Sequence, residues 1–246
     1  MIPDKKQLEI LLIQYFRECY SEFPKGKLIP SESPDFIVAL KSKNHIGIEL
    51  TRLNPTNIKY QDQPQITQNQ IRNKIIDTAL SLYEQSSGLK LFVKILFSEK
   101  SPLTEDKEIF TAAKLTNLIR ETIFRKNSES FFREYVYFPQ HSDGLKAVLI
   151  IHHPELKCHI WERSNNLGIS ENVVDDIREA IHKKDEKLQL YQKQRLNYYW
   201  LVITTDRLMG IKNYNLPDKI VNYEFISRFQ HVFLFDLLRS KVFQLV

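Results

Sequence analysis

Glycine is scarce in this chain, with six residues among 246. Neither G-x-G-x-x-G nor G-x-x-x-x-G-K-[ST] occurs, so the chain lacks the glycine-rich loops with which common nucleotide-binding folds hold phosphates. Cysteine is scarcer still: Cys19 and Cys158 are far apart and form no C-x-x-C pair. This usage excludes a cysteine-based zinc site and favours a reducing, cytoplasmic location.

Long apolar runs are also absent. The N-terminal apolar burst, Ile10 to Ile13, is flanked by charged residues and repeats with helical spacing, so we expect neither a secretory leader nor a membrane partner. The 42% hydrophobic and 26% charged composition predicts one globular domain over residues 1–246, or two small ones. Thirty-five basic and thirty acidic residues give a net charge of +5, a mild bias toward polyanionic partners.

Helical and strand patterns alternate along the chain. Apolar spacing predicts helices over 4–23, 67–85, 105–125 and 170–194. Alternating or β-rich runs predict strands over 35–41, 45–52, 89–97, 134–138, 147–152, 158–161, 198–204, 231–235 and 241–245. This alternation is typical of an α/β layer architecture.

The first predicted hairpin carries two carboxylates that can face one another. Asp35 follows Pro34 at the start of one strand, and Glu49 lies fourteen residues later in the next. A three-residue loop over 42–44 would place Asp35 opposite Thr51 and diagonal to Glu49, on one side of the sheet. Diagonal Cα atoms are roughly 7–8 Å apart, so the two carboxylates can share one hard divalent cation.

This hairpin resembles the core of the PD-(D/E)XK nuclease-like superfamily: an opening helix, a three-stranded meander with Pro-Asp and then Glu-x-Lys, another helix and a further strand. The opening helix, Pro34-Asp35 and Glu49-Leu50-Thr51 match in order and spacing over about the first fifth of the chain. The resemblance implies a restriction-endonuclease-like mixed central sheet flanked by helices, with residues 54–168 as an inserted α/β subdomain. The chain departs from the family at the third motif position, where Thr51 replaces the lysine.

A replacement for that lysine is available on the helix predicted over 170–194. Lys184 lies at the centre of an apolar stripe made by Ile177, Ile181, Leu188 and Tyr191. A lysine there must either meet an anion, such as the predicted carboxylate pair, or extend past its neighbours into water. Lys187 flanks the stripe, and Lys187-x-x-x-Tyr191 resembles the Gln-x-x-x-Tyr helix motif of some members of the superfamily.

The resemblance implies a metal-dependent phosphodiesterase with nucleic acid as its partner, DNA more often than RNA. Asp35, Glu49 and the Leu50 carbonyl would hold Mg²⁺ or Mn²⁺. Thr51 and Lys184, or in its place Lys187, would complete the catalytic residues. A homodimer is left open.

Three other hypotheses compete with this one. The first is a nuclease-fold module that has lost catalysis and binds nucleic acid or a protein partner. The second is a different enzyme class that uses the cluster of His152, His153 and His159 as metal ligands. The third is that Asp35 and Glu49 are an ordinary turn residue and an ordinary strand residue.

Overall fold

The computed structural model describes residues 5–53, 63–86, 88–98, 101–124, 126, 129–138, 144–164, 172–191, 196–206, 220 and 222–246. The helices of this part of the chain are α1 (Lys5–Cys19), α2 (Gln63–Glu84), α3 (Glu108–Phe124) and α4 (Val173–Tyr191), and a single 3-10 turn (Glu105–Lys107) precedes α3. The strands are β1 (Gly26–Pro30), β2 (Phe36–Leu40), β3 (His45–Arg52), β4 (Phe92–Phe97), β5 (Phe132–Tyr137), β6 (Leu145–His152), β7 (Ile160–Arg163), β8 (Tyr198–Thr205), β9 (His231–Asp236) and β10 (Lys241–Gln244). None of the described helices is long and apolar enough to cross a membrane.

These elements form an α/β structure with two mixed sheets flanked by the four helices. The chain divides into two compact units: Met1–Leu11 with Lys59–Asn166, and Leu12–Ile58 with Leu167–Val246. The limits expected for an insertion, 54 and 168, lie outside the described residues and next to the boundaries of these units.

The unit of Leu12–Ile58 and Leu167–Val246 contains a six-stranded sheet of order β1-β2-β3-β8-β9-β10. β3, β8 and β9 run parallel, whereas β1, β2 and β10 are antiparallel to their neighbours. The central strand β8 is buried on both faces, as parallel strands in α/β proteins usually are. One face packs against Ile177, Ile181 and Leu188 of α4. On the other face of the sheet, the ring centroid of Phe16 in α1 lies 5.3 Å from that of Phe233 in the neighbouring strand β9.

The other unit contains a four-stranded sheet of order β5-β6-β4-β7. Apolar residues of α2 and α3 form one buried cluster with Val93, Ile95 and Trp161. The Thr116 hydroxyl donates a hydrogen bond to the Ala79 carbonyl oxygen at 3.0 Å, which ties α3 to α2. This unit therefore has its own core.

Each of the nine predicted strands and four predicted helices overlaps an observed element. The start expected for α4 at residue 170 lies outside the described residues. β1 is not among the predicted strands, because Gly26 and Pro30 are residue types that usually interrupt helices and strands. Proline lacks the N–H that a central strand needs, but an edge strand tolerates it, and β1 is the edge strand beside β2.

Gly47 of β3 has no room for a side chain. A Cβ atom there would lie 2.7 Å from Leu196 Cδ1, 2.7 Å from Pro34 Cγ and 3.3 Å from Tyr199 Cδ1. We expect Gly47→Ala to lower the free energy of unfolding by about 1–3 kcal/mol, because the ring of Pro34 cannot rotate away. Urea denaturation measures this.

Gly88→Ala is the matched control, since a Cβ there meets nothing within 4 Å. We expect it to change the free energy of unfolding by less than about 0.5 kcal/mol. Equal stability of the two variants would contradict the close packing of β3 around Gly47.

Candidate active site

The turn between β2 and β3 sets the position of Asp35. The Leu40 N–H donates to the Asn44 carbonyl oxygen at 2.9 Å, and the Lys43 N–H donates to the Leu40 carbonyl oxygen at 3.1 Å. Lys43 has φ 67°, the left-handed conformation typical of the last residue in a three-residue hairpin loop. The loop is therefore 41–43, and the expectation of 42–44 is wrong by one residue.

This turn shifts the strand register by two residues from the expected one. Phe36 pairs with Ile48, so Asp35 lies one step beyond the paired residues and opposite Glu49. The expected position opposite Thr51 is wrong. Because side chains alternate with a period of two, a shift by two residues keeps both carboxylates on the same face.

β2 begins at Phe36, whereas β3 continues to Arg52, so the backbone of Leu50 extends past the end of its partner strand. The N–H and C=O of one strand residue point to the same side. The Leu53 N–H bonds to β8, and Leu50, three residues earlier, therefore points to the β2 side. Its N–H donates to Asp35 Oδ2 at 2.7 Å. A carboxylate thus takes the place of a missing strand residue.

Lys184 of α4 completes this arrangement. Its Nζ atom donates to Glu49 Oε1 at 2.6 Å and lies 3.4 Å from the Leu50 carbonyl oxygen. The side chains of Glu49 and Lys184 are 7% and 18% exposed, so this ion pair is largely shielded from water. Asp35 is half-buried. The structure thus brings Asp35, Glu49, Leu50 and Lys184 together around one end of β3.

α4 is held in position by contacts on both sides of Lys184. Ile177, Ile181 and Leu188 are each at most 2% exposed, and burying an aliphatic side chain of this size contributes roughly 1.5–3 kcal/mol. One residue after Lys184, Asp185 Oδ1 accepts from the Ser227 hydroxyl at 2.8 Å and from the Arg228 N–H at 3.1 Å. These contacts fix the rotation of α4 that directs Lys184 to β3.

The other predicted site residues take no part in the contact between Lys184 and Glu49. Thr51 is half-buried on the Glu49 face of β3, and its carbonyl oxygen accepts from the Thr204 hydroxyl at 3.3 Å. Lys187 is exposed on α4, and no hydrogen bond or ion pair joins it to the site among the described residues. Tyr191 ends α4, and its side chain is outside the described part of the chain.

The three histidines each have a separate environment. His152 Nδ1 lies 2.8 Å from the Lys90 carbonyl oxygen, and His153 Nδ1 accepts from the Glu155 N–H. Burial, and to a smaller extent the Lys90 ammonium, lowers the pKa of His159. Within the described ranges, no group of three or more His, Cys, Asp or Glu side chains is arranged to hold a metal ion.

The oxygen atoms near the end of β3 come from two carboxylates and the backbone. Asp35 and Glu49 supply two carboxylates, and Leu50 supplies a backbone carbonyl oxygen. Mg²⁺ is commonly bound by one or two carboxylates and keeps several water ligands. This donor set therefore fits a hard divalent cation that completes its shell with water and substrate oxygens.

Comparisons of this chain with protein families, with curated proteins and with solved structures found no match.

We expect the Lys184–Glu49 ion pair to affect the free energy of unfolding when one partner is removed. Lys184→Met leaves the buried carboxylate without its cation, and we expect a loss of about 3–5 kcal/mol in the free energy of unfolding. The double variant Glu49→Leu/Lys184→Met should recover most of it, because no buried charge remains. Urea denaturation at neutral pH measures both.

Lys183→Met is the control, since Lys183 is the neighbouring residue of α4 and makes an exposed ion pair with Glu179. We expect it to cost less than about 1 kcal/mol. Equal losses for Lys183→Met and Lys184→Met would show that the Lys184 ammonium does not act on a buried carboxylate.

Proposed function

We propose that this chain is a metal-dependent phosphodiesterase that cleaves nucleic acid, with DNA as its main substrate. The observation that carries the proposal is the position of Lys184 Nζ, 2.6 Å from Glu49 Oε1 and 3.4 Å from the Leu50 carbonyl oxygen. The sequence has Thr51 where the PD-(D/E)XK superfamily has its lysine. The ammonium group that reaches the Glu49 carboxylate comes from α4 instead.

The order of elements around the six-stranded sheet supports a restriction-endonuclease-like core. α1 is followed by the antiparallel meander β1-β2-β3, then by α4 and by β8, which pairs with β3 in parallel. β1 is the remaining strand of the meander, and it was not among the predicted strands. Cys19 and Cys158 are not joined in a disulfide bond, which agrees with the proposal of a reducing compartment such as the cytoplasm.

The ligand set at the end of β3 suits the chemistry. When bound, Mg²⁺ or Mn²⁺ would polarise the scissile phosphate and lower the pKa of a water molecule. Asp35, Glu49 and the Leu50 carbonyl oxygen would hold the cation. The Leu50 N–H orients the Asp35 carboxylate through the bond to Oδ2, so the site is organised by the backbone of β3.

Lys184 has two roles in this proposal. Its ammonium group orients the Glu49 carboxylate, and it places a positive charge where negative charge develops on the phosphate in the transition state. Thr51 lies on the same face of β3 and contributes a hydroxyl group. A hydroxyl stabilises an anion less well than an ammonium group does, which is why the proposal depends on Lys184.

Cleavage of plasmid, linear duplex and single-stranded DNA tests this function. We expect the wild type to cleave in the presence of Mg²⁺ or Mn²⁺ and to stop when EDTA is added. Asp35→Asn and Glu49→Gln should each lower the rate by about a thousandfold, since several kcal/mol of charge stabilisation depend on the cation. Lys184→Met, assayed at a temperature at which it is folded, should lose about 10²- to 10³-fold.

Lys183→Met controls for the loss of a positive charge on α4, and we expect its rate to stay within about twofold of the wild type. Adding Thr51→Lys to Lys184→Met should restore part of the activity, because residue 51 lies on the Glu49 face. Cleavage that persists in both carboxylate variants would reject Asp35 and Glu49 as the active site.

A catalytically inactive module that binds nucleic acid or a protein partner is the second candidate. The observation that favours it is the direct contact between Lys184 and Glu49, because an ion pair neutralises the carboxylate without a metal. In this case the ion pair would be structural.

Mn²⁺ binding separates the two candidates. We expect the wild type to bind Mn²⁺ in calorimetry, and we expect Asp35→Asn to weaken binding at least about tenfold, because it removes one of two charged ligands. Lys183→Met should bind as the wild type does. Absence of Mn²⁺ binding by folded wild type, together with absence of cleavage, would favour the inactive module.

A further inference from the structure

Four lysines gather at the end of β1, β2 and β3 that lies away from the candidate active site. We call this group, Lys25, Lys27, Lys41 and Lys43, the basic end. β1 brings the first two there: Gly26 pairs with Leu40 and Lys27 with Ala39, so Lys25 directly precedes the last pair of the ladder and Lys41 directly follows it. Lys43 belongs to the three-residue turn, and all four residues are exposed.

Acidic residues are absent from the stretches of chain on either side of the basic end. No Asp or Glu occurs over 23–31 or over 36–48. None of the four lysines makes an ion pair or a hydrogen bond through its side chain among the described residues. The carboxylate nearest in sequence, Glu22, acts on Tyr20, whose pKa is raised first by burial and then by the charge and hydrogen bond of Glu22. The basic end is thus a concentration of positive charge, and the carboxylate of these three strands, Glu49, lies at the other end of β3.

The basic end and the site are aligned on one face of the sheet. Directly paired residues point to the same face, so Lys27, Ala39 and His45 share a face. His45 and Glu49 share it as well, because they lie four residues apart in β3. At about 3.3 Å per residue, the row through Lys27 is about 13 Å from the row of Glu49 along the strands.

This distance of about 13 Å suits a nucleic acid whose axis runs parallel to the strands. Each strand of a DNA duplex carries one phosphate per about 3.4 Å along the helix axis. A scissile phosphate at Glu49 therefore places phosphates about four nucleotides away beside Lys27 and His45, with the next ones near Lys41 and Lys43. Exposed lysines that face phosphates supply most of the affinity of sequence-independent binding.

We propose that the basic end binds the phosphate backbone of the DNA substrate about four or more nucleotides from the scissile phosphate. This inference rests on the proposed function, because the direction of the DNA is taken from the site at Glu49. The four lysines position the duplex and contribute no sequence preference, since phosphate contacts carry no direct information on the bases.

The test is the salt dependence of duplex binding, measured by fluorescence anisotropy in EDTA so that the DNA stays intact. The variant carries Lys25→Gln, Lys27→Gln, Lys41→Gln and Lys43→Asn. Asparagine is chosen at residue 43 because it tolerates the positive φ there. Four lost phosphate contacts should reduce the slope of log K against log salt concentration by about 3–4, and weaken binding at least about tenfold at moderate salt.

A matched variant removes four exposed lysines that lie outside β1, β2 and β3: Lys74→Gln, Lys107→Gln, Lys157→Gln and Lys241→Gln. It has the same net charge as the first variant, and we expect its slope to change by less than about one. Equal changes in both variants, or no change in either, would overturn the basic end as the binding surface. The proposal would also be overturned if the wild-type protein did not bind the duplex, or if it bound phosphatidylserine vesicles and not the duplex.

Cleavage assays on the same proteins separate this inference from the proposed function. If the wild type cleaves DNA and the basic-end variant keeps the wild-type slope, the inference fails and the phosphodiesterase stands. If binding depends on the four lysines and no cleavage occurs with Mg²⁺ or Mn²⁺, the phosphodiesterase fails and the binding surface stands.

Discussion

A buried carboxylate on β3 determines the arrangement around it. The Glu49 side chain is 7% exposed, and a charge in such a place costs several kcal/mol unless an opposite charge and hydrogen bonds compensate it. Lys184 provides the compensation from a helix 135 residues later in the chain. The face of α4 that carries Lys184 also carries the apolar residues that pack against β8 and β9, so the ion pair and the apolar contacts require the same rotation of the helix.

The second determinant is a difference in length between neighbouring strands. β2 has five residues and β3 has eight, so the backbone groups of Leu50 have no strand partner on the β2 side. The Asp35 carboxylate bonds to the free N–H, and the Lys184 ammonium lies near the free C=O. Polar groups meet here because the regular ladder of strand hydrogen bonds ends, which also leaves carboxylate and carbonyl oxygens close together.

The same ion pair bears on stability and on function in different ways. Buried pairs are weak contributors to stability, because apolar residues of similar volume often stabilise a protein equally well or better. In the proposed function the pair also orients a metal ligand, which would be a reason for it to be charged. The basic end is a comparable case: like charges without counter-charges oppose folding slightly, and a polyanionic ligand would relieve this repulsion.

The sequence by itself determined the order of helices and strands, the shared face of Asp35 and Glu49, and the position of Lys184 in an apolar stripe. Each of these depends on a local period, of two residues in strands or 3.6 in helices, and local periods can be counted in the sequence. Only the tertiary structure decided the strand register, since the expected and the observed pairing both place apolar residues of β2 opposite apolar residues of β3. It also decided that Lys184 reaches Glu49 while Lys187 is exposed, and that β1 exists and brings Lys25 and Lys27 beside the turn. Register and partner choice depend on contacts between residues far apart in the chain, and a local period carries no information about those contacts.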